Sequence, residues 1–161
     1  MSQKPDIPAI LSELSASCPA GYAIALHIRY SAPRFLFQTY ASDWKETYSA
    51  NGFVLKDPTV QWGFANTGTI RWDALRAEDA AGVLSLAAEY GLKHGFTVAV
   101  ARGETRSIAS FARRDGDFSD AEIAQVAETV RQLHDYTAGL DRISAAERDT
   151  LRKLSVAFTH G

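Results

Sequence analysis

Apolar residues recur along this chain with two periodicities, one typical of helices and the other typical of strands. Near the N-terminus the apolar positions are spaced by three and four: Ile7, Ile10, Leu11 and Leu14. This spacing places them on one face of a helix, predicted over about residues 8–17 and ended by the Cys-Pro-Ala-Gly sequence that follows.

In residues 22–30 the side chains alternate between two faces, a pattern that predicts a half-buried strand. Its two faces would be Tyr22, Ile24, Leu26 and Ile28 on one side, and Ala23, Ala25, His27 and Arg29 on the other. The Ser-Ala-Pro sequence after this strand predicts a turn, and residues 34–39 predict a second strand that pairs with the first as a hairpin.

The middle of the chain predicts three helices. Ser42 is placed to cap one over about residues 43–50, while Asp57 and Pro58 suit the cap and first position of another that ends near residue 66. A short extended piece over 69–72 then precedes an amphipathic helix over 77–92.

The last third predicts a second hairpin, over residues 95–101 and 107–113, and then the longest helix, over 119–140. Ser119 followed by Glu122 forms a capping box at its start. Two hairpins with helices before, between and after them predict an α+β fold. We expect an α/β/α sandwich in which a central antiparallel sheet of about four to five strands has helices on both faces.

The longest helix has an apolar seam that allows two interpretations. Its members are Ile123, Val126, Val130, Leu133, Thr137 and Leu140. Alternating spacings of three and four are typical of a helix that pairs with a second copy, which predicts a homodimer. The alternative is that the seam packs on the sheet of its own domain, and both hold if a wider face divides between the two.

Composition and charge exclude several classes of protein. Of 161 residues, 46% are hydrophobic and 22% are charged, which excludes wholesale disorder. The formal net charge of −2 lacks the global signature of a nucleic-acid-binding protein. The single cysteine, Cys18, excludes an internal disulfide and favours a reducing compartment. Without an export signal or a long apolar run, the sequence predicts a soluble cytoplasmic protein with no membrane partner.

Sequence motifs for catalysis, cofactors and metals are missing. There is no glycine-rich dinucleotide motif, no phosphate-binding loop and no nucleophile elbow. The four histidines have no metal-ligand spacing, and one cysteine is too few for a zinc cluster. His27 is a candidate general base, but a structural or solvated histidine is the simpler interpretation. We therefore predict no catalytic residue, no metal site, no cofactor and no enzymatic activity.

The unusual feature is a cluster of aromatic and acidic residues. Tyr40, Trp44 and Tyr48 repeat every four positions, which places them on one face of a helix. Asp57 follows in an otherwise apolar stretch. The plain interpretation is core packing for the aromatic residues and a helix cap for Asp57. The alternative is a pocket for a small amphiphilic ligand, because these polar groups need hydrogen-bonding partners when they are buried.

These residues resemble the signature of the autoinducer-binding domain of LuxR-type quorum-sensing transcriptional regulators. The matching spacing is Tyr40-x3-Trp44-x3-Tyr48-x8-Asp57-Pro58, followed by Trp72. Residues 90–98 are similar to that family's helix-to-strand stretch, and residues 107–110 fall in its last pocket strand. The resemblance covers about residues 6–140 and implies an autoinducer-binding domain over residues 1–141. It also implies an N-acyl-homoserine lactone or a related signal as ligand, a homodimer, and coupling of the ligand to transcription.

The resemblance implies a role for each matching residue. Trp44 would donate its indole N–H to the lactone carbonyl, and Asp57 would accept the amide N–H of the ligand. Tyr48 would pack on the acyl chain and offer its hydroxyl to the acyl carbonyl, and Trp72 would form a wall over the lactone ring. Four further positions would lie near the amide: Tyr40, Thr59, Val60 and Ser110.

An outer pocket for the acyl chain is also implied, lined by the first hairpin and the helix after it. Its expected members are Ala25, Phe35, Phe37, Leu55 and Phe64. Trp62 is not part of the signature, and its place in the core or in the pocket stays open.

The end of the chain resembles the start of a second domain. Residues 143–151 are similar to the opening of the family's helix-turn-helix domain, but no recognition helix follows. Residues 142–161 are therefore interpreted as a linker and the truncated start of that domain, so promoter DNA would be bound only through a part that is missing here. Two explanations stay open: a piece of a longer regulator, or a naturally shorter protein that acts as an inhibitory heterodimer partner.

Overall fold

A five-stranded antiparallel sheet forms the middle layer of the computed structural model, which describes residues 5–29 and 32–138. The strands are β1 (Gly21–Arg29), β2 (Ala32–Gln38), β3 (Gly68–Arg71), β4 (His94–Arg102) and β5 (Thr105–Arg113). Their order in the sheet is β2-β1-β5-β4-β3. Both predicted hairpins are present, and the short extended piece predicted at 69–72 corresponds to the edge strand β3.

Helices cover both faces of this sheet. They are α1 (Ile7–Ser17), α2 (Ser42–Ala50), α3 (Pro58–Ala65), α4 (Val83–Glu89) and α5 (Asp120–Ala138), with 3₁₀ helices at Phe53–Leu55 and Trp72–Glu78. The helices α1 and α5 pack on one face, and α2, α3 and α4 lie on the other. The predicted α/β/α sandwich is confirmed. Within the described residues, no helix is both long and apolar enough to cross a membrane.

The face under α1 and α5 is a closely packed hydrophobic core. Alternate residues of β2, β4 and β5 point into it, including Phe37, Phe96 and Phe111, all with no exposed surface. Burying one such side chain contributes about 1.5–3 kcal/mol. Burial in this layer therefore contributes substantially to the stability of the fold.

The seam of α5 packs against this core. Ile123, Val130, Leu133 and Thr137 are buried within the single chain, and Val126 is partly buried against the same cluster. The structure thus favours the second interpretation of the seam, because these residues are not available to a second copy. Leu140 lies outside the described residues, as do the predicted linker and truncated domain at 142–161.

Two of the three predicted helix caps are confirmed. The backbone N–H of Thr59 donates to Asp57 Oδ1 at 2.8 Å, and Pro58 is the first residue of α3. At α5, Glu122 N–H donates to Ser119 Oγ at 3.1 Å and Ser119 N–H donates to Glu122 Oε1 at 2.9 Å. The prediction that Ser42 caps α2 is wrong, because Ser42 is the first helical residue and Ala41 holds the cap position.

The helix predicted over 77–92 is shorter in the structure. The Asp79 carboxylate accepts hydrogen bonds from the backbone N–H groups of Val83, Leu84 and Ser85. Gly82, with a φ of 71°, holds the position before α4. Because Asp79 caps the start of a separate helix, the residues before Asp79 belong to the 3₁₀ helix and only Val83–Glu89 is α-helical.

A bulge in β1 changes the predicted faces of that strand. Its register against β5 shifts between Ala25 and Ile28, and His27 has a φ of 56°, which is uncommon for a residue with a side chain. Beyond the bulge the alternation is inverted. Ile28 therefore lies on the face of Ala23 and Ala25, and not with Tyr22, Ile24 and Leu26 as predicted.

Hydrogen bonds hold the bulge in place. His27 Nε2 lies 2.8 Å from Thr137 Oγ1 and 3.0 Å from the carbonyl oxygen of His134, both on α5. His27 Nδ1 lies 2.6 Å from Thr105 Oγ1. Burial and the neighbouring His134 ring lower the pKa of His27 to about 4. The candidate general base is thus a neutral structural side chain that joins β1 to α5.

Candidate functional site

A cavity of about 330 Å³ lies between the sheet and the layer of α2, α3 and α4. Pockets for small molecules typically occupy about 300–1,000 Å³. The middle of β1 presents the small side chains of Ala23 and Ala25 to this face, which leaves room for the cavity. Its walls are mostly apolar, with a few polar groups that converge on one wall.

Asp57 is the acidic group of that wall. Its Oδ1 atom accepts hydrogen bonds from Thr59 N–H at 2.8 Å and Thr59 Oγ1 at 2.7 Å, and Oδ2 accepts from the Tyr48 hydroxyl at 2.8 Å. Burial raises the pKa of Asp57, and the bonds from Thr59 and Tyr48 oppose that rise. Oδ2 accepts only one described hydrogen bond, so it retains capacity for a further N–H donor.

Aromatic rings from α2 form the next part of the wall. Trp44 and Tyr48 lie one turn apart on α2, and their ring centroids are 5.8 Å apart with the edge of one ring against the other. Trp44 also contacts the rings of Phe53 and Tyr90, at 6.3 and 5.3 Å. Within the described part of the chain, no acceptor bonds to the Trp44 indole N–H, so this donor is available to a ligand.

Trp72 closes the side of the cavity nearest β4. Its ring lies directly on Gly95, where a Cβ atom would overlap it. The Trp72 indole N–H donates to Thr97 Oγ1 at 3.1 Å, and Thr97 Oγ1 lies 2.7 Å from Ser110 Oγ. The glycine and the threonine therefore fix the position of this tryptophan.

The structure brings eight of the ten predicted site residues to one cavity. They are Tyr40, Trp44, Tyr48, Asp57, Thr59, Val60, Trp72 and Ser110. Burial and the nearby Asp57 raise the pKa values of Tyr40 and Tyr48, so both hydroxyl groups stay protonated at neutral pH. Of the residues expected around the acyl chain, Ala25 and Phe64 also line the cavity.

Three expected positions lie elsewhere, and those predictions are wrong. Phe35 and Phe37 point into the core under α1 and α5, because alternation along β2 gives the cavity face to Leu36 and Gln38. Leu55 is 81% exposed and does not line the cavity. Trp62, whose place was open, packs against the cluster around Trp44 and also does not line the cavity.

Sequence reasoning missed several cavity residues. The signal for Leu36 and Gln38 was the alternation along β2, which defines two faces but does not say which one faces the cavity. Ile28 reaches the cavity only through the bulge at His27. Among residues 5–29 and 32–138, no group of three His, Cys, Asp or Glu residues is arranged to hold a metal ion.

Comparisons with known proteins agree with this architecture. Residues 19–137 match the family model described as the autoinducer binding domain. The chain is 33% identical over 118 residues to the transcriptional activator protein SolR of Ralstonia nicotianae, which covers 70% of this chain and 48% of SolR. It is 35% identical over 80 residues to the transcriptional activator protein VanR of Vibrio anguillarum, which covers 47% of this chain and 33% of VanR. The chain thus spans about half the length or less of these curated relatives.

Solved structures share the fold at low sequence identity. SdiA in complex with octanoyl-rac-glycerol superposes with a TM-score of 0.61 at 17% identity, covering 87% of this chain and 61% of that chain. The N-acylhomoserine lactone dependent LuxR family transcription factor CepR2 from Burkholderia cenocepacia gives a TM-score of 0.60 at 16% identity, covering 82% and 80%. These likenesses support the fold.

Proposed function

This chain belongs to the autoinducer-binding domains of LuxR-type transcriptional regulators, and from that premise we propose that its cavity binds an N-acyl-homoserine lactone. The named relatives are transcriptional activators and not enzymes, so the chain is not an enzyme. The observation that supports the proposed ligand is the pairing of an acceptor, Asp57, with a free donor, Trp44. Tyr48 contacts both residues and joins them into one polar wall.

The polar head of such a ligand matches this wall. It offers one amide N–H and two carbonyl groups. Asp57 Oδ2 accepts the N–H, and the Trp44 indole donates to the lactone carbonyl. The Tyr48 hydroxyl already donates its hydrogen to Asp57, so the acyl carbonyl needs another donor. The Tyr40 hydroxyl, for which no described residue is a hydrogen-bonding partner, fills this role.

The rest of the cavity suits a hydrocarbon chain. Ala25, Ile28, Leu36 and Phe64 provide apolar surface away from the polar groups. Each buried methylene contributes about 0.8 kcal/mol, which is about fourfold in affinity. Affinity should therefore rise with acyl length until the cavity is filled, and then level off or fall.

A thermal-shift panel of acyl-homoserine lactones from four to sixteen carbons tests this proposal. A ligand that binds only the folded state stabilises it by about 2.7 kcal/mol at 100 times its dissociation constant, a shift of several degrees. Octanoyl-glycerol belongs in the panel, because one of the similar solved structures is SdiA in complex with octanoyl-rac-glycerol. We expect one optimum of chain length among the lactones and a smaller shift with the glycerol ester, which has no amide N–H for Asp57.

Matched tryptophan variants separate recognition from general destabilisation. Trp44→Phe removes the N–H that faces the ligand, whereas Trp62→Phe makes the same change outside the cavity. We expect a loss of about tenfold in lactone affinity for the first and no loss for the second. Asp57→Asn should keep the helix cap, fold normally, and bind about 10- to 100-fold more weakly. A flat panel, or equal affinities for the two tryptophan variants, would contradict the proposed function.

We further propose that ligand binding is coupled to dimerisation and to transcription control in a protein of the relatives' length. A ligand that fills the cavity stabilises the layer of α2, α3 and α4 and shifts the population toward the conformation that dimerises. Sedimentation with and without the optimal lactone tests this coupling. An identical mass at all concentrations in both conditions would refute it.

A further inference from the structure

A side chain of the sheet, Arg106 on β5, binds the C-terminal end of α3. Its Nη1 atom donates to the carbonyl oxygen of Gly63 at 2.8 Å and to the carbonyl oxygen of Asn66 at 2.6 Å. The last carbonyl groups of a helix have no acceptor role within the helix, and the negative end of the helix dipole lies there. A guanidinium group supplies both the hydrogen-bond donors and the positive charge that this end of α3 requires.

The packing of α3 on β5 makes these two hydrogen bonds important. Gly63 is buried, and a Cβ atom at this position would lie 2.7 Å from the Ile108 side chain. Helix and strand therefore approach closely at Gly63 without a side chain of that residue to interlock with the sheet. With eight residues, α3 is also too short to be stable as an isolated helix. The bonds from Arg106 thus restrain the distance between this end of α3 and β5.

Arg106 lies at the end of the cavity that is far from the polar wall. It pairs with Ile28 across the sheet, and Ile28 and Phe64 both line the cavity. Phe64 directly follows Gly63 and lies about two helical turns after Asp57, which is about 10 Å along the helix axis. Phe64 is 46% exposed, so it lies between the cavity and the solvent. A ligand with its polar head against Asp57 would therefore direct its acyl chain toward Phe64.

We propose that Arg106 is a positioning residue that sets the longest acyl chain the cavity accepts. Its hydrogen bonds fix the distance between α3 and β5 and thereby the position of Phe64, which closes the far end of the cavity. Arg106 does not line the cavity, so it acts through Phe64 and not by contact with the ligand. This inference rests on the proposed function, because it assumes that the polar head lies against Asp57 and Trp44.

Affinity as a function of acyl length tests this role. The probes are unsubstituted acyl-homoserine lactones of four to sixteen carbons, titrated by calorimetry. For the wild-type chain we expect affinity to rise by about fourfold per methylene to an optimum and to fall by about tenfold for a ligand four carbons longer. Arg106→Met keeps an unbranched side chain but removes the donors. In this variant the fall beyond the optimum should shrink to about twofold, while ligands shorter than the optimum should keep their affinity within about twofold.

Two further arginine variants control for general destabilisation. Arg102 on β4 forms an ion pair with Asp135 on α5 at 2.6 Å and does not line the cavity. Arg102→Met makes the same substitution there and should keep the wild-type dependence on acyl length. Arg106→Lys keeps one cationic donor group, so it should give a smaller change than Arg106→Met in the same direction. The lysine variant also provides the comparison if Arg106→Met does not fold.

Phe64→Ala tests whether Arg106 acts through Phe64. Alone, it should remove the fall beyond the optimum, and adding Arg106→Met should change the length dependence no further, because coupled positions are not additive. The positioning role alone is overturned by a wild-type affinity that does not fall beyond an optimum, by an unchanged length dependence in both Arg106 variants, or by an equal change in Arg102→Met. If no lactone binds the wild-type chain, the proposed function is wrong and this inference is overturned with it.

Discussion

Acidification should destabilise this domain through one buried side chain, His27. Both ring nitrogens are held by hydrogen bonds, to Thr105 on one side and to Thr137 and the His134 carbonyl on the other. The His134 ring lies 4.4 Å away, centroid to centroid. Burial and this neighbour lower the pKa of His27 from 6.5 to about 4. The folded domain therefore keeps the imidazole neutral where an unfolded chain would protonate it.

The size and sign of the effect follow from this pKa. Between pH 6.5 and about 4 the unfolded state binds more protons, so stability is complete above pH 6.5 and falls as the pH decreases toward 4. One pKa unit corresponds to about 1.4 kcal/mol, so the full loss is about 3 kcal/mol and the loss by pH 5 is about 2 kcal/mol. Asp57 acts in the opposite direction, because burial raises its pKa and acidification removes an unfavourable buried charge.

Urea unfolding at pH 7, 6 and 5 measures the contribution of His27 when wild type is compared with His27→Asn. Asparagine tolerates the positive φ of this position and does not titrate. We expect His27→Asn to be less stable at pH 7 but to lose about 2 kcal/mol less than wild type between pH 7 and 5. Val98→Ala, a destabilising core variant without a titrating group, should lose as much as wild type. An equal loss in wild type and His27→Asn would refute the reasoning.

Three other predictions concern the cavity. Gly95→Ala places a Cβ where the Trp72 ring lies, so it should lower stability by about 1–3 kcal/mol and weaken ligand binding, measured by thermal melting and titration. Gly63→Ala brings a Cβ within 2.7 Å of the Ile108 side chain; despite the better helix propensity of alanine, we expect a lower melting temperature, and a higher one would contradict this close packing. Because the pKa of Asp57 is raised, lactone affinity should fall as the pH decreases through that pKa, and calorimetry from pH 7.5 to 5 should show no such fall in Asp57→Asn.

Local patterns determined most of the elements of this fold. Asp57 and Pro58 predicted the start of α3, and Ser119 with Glu122 predicted the start of α5, because a helix cap depends on residues only a few positions apart. The strand positions followed from alternation in the same way. The spacing of Trp44 and Tyr48 likewise predicted neighbouring rings, since helical periodicity places such residues on one face. The prediction that Tyr40 shares that helix face is wrong, because α2 begins at Ser42.

The predictions failed where two local signals competed or where contacts with an element distant in sequence set the local conformation. Asp79 lies inside a stretch with helical spacing. Its carboxylate caps the start of α4, so the stretch does not form one continuous helix. His27 lies in a regular alternating stretch, yet its bonds to α5 stabilise a bulge. Neither outcome depends on spacing along the chain, so periodicity did not reveal it.

The sequence by itself determined most of the helices and strands and which polar groups need partners, and its resemblance to a known family implied that Trp44 and Asp57 share one site. Only the tertiary structure decided which side of β2 meets the cavity, so that Gln38 lines it and Phe35 does not. It also decided that Ile28 faces the cavity and that the α5 seam is buried. The physical reason is that alternation defines two faces of a strand without ranking them, and packing against α1, α5 and the opposite helices assigns each face.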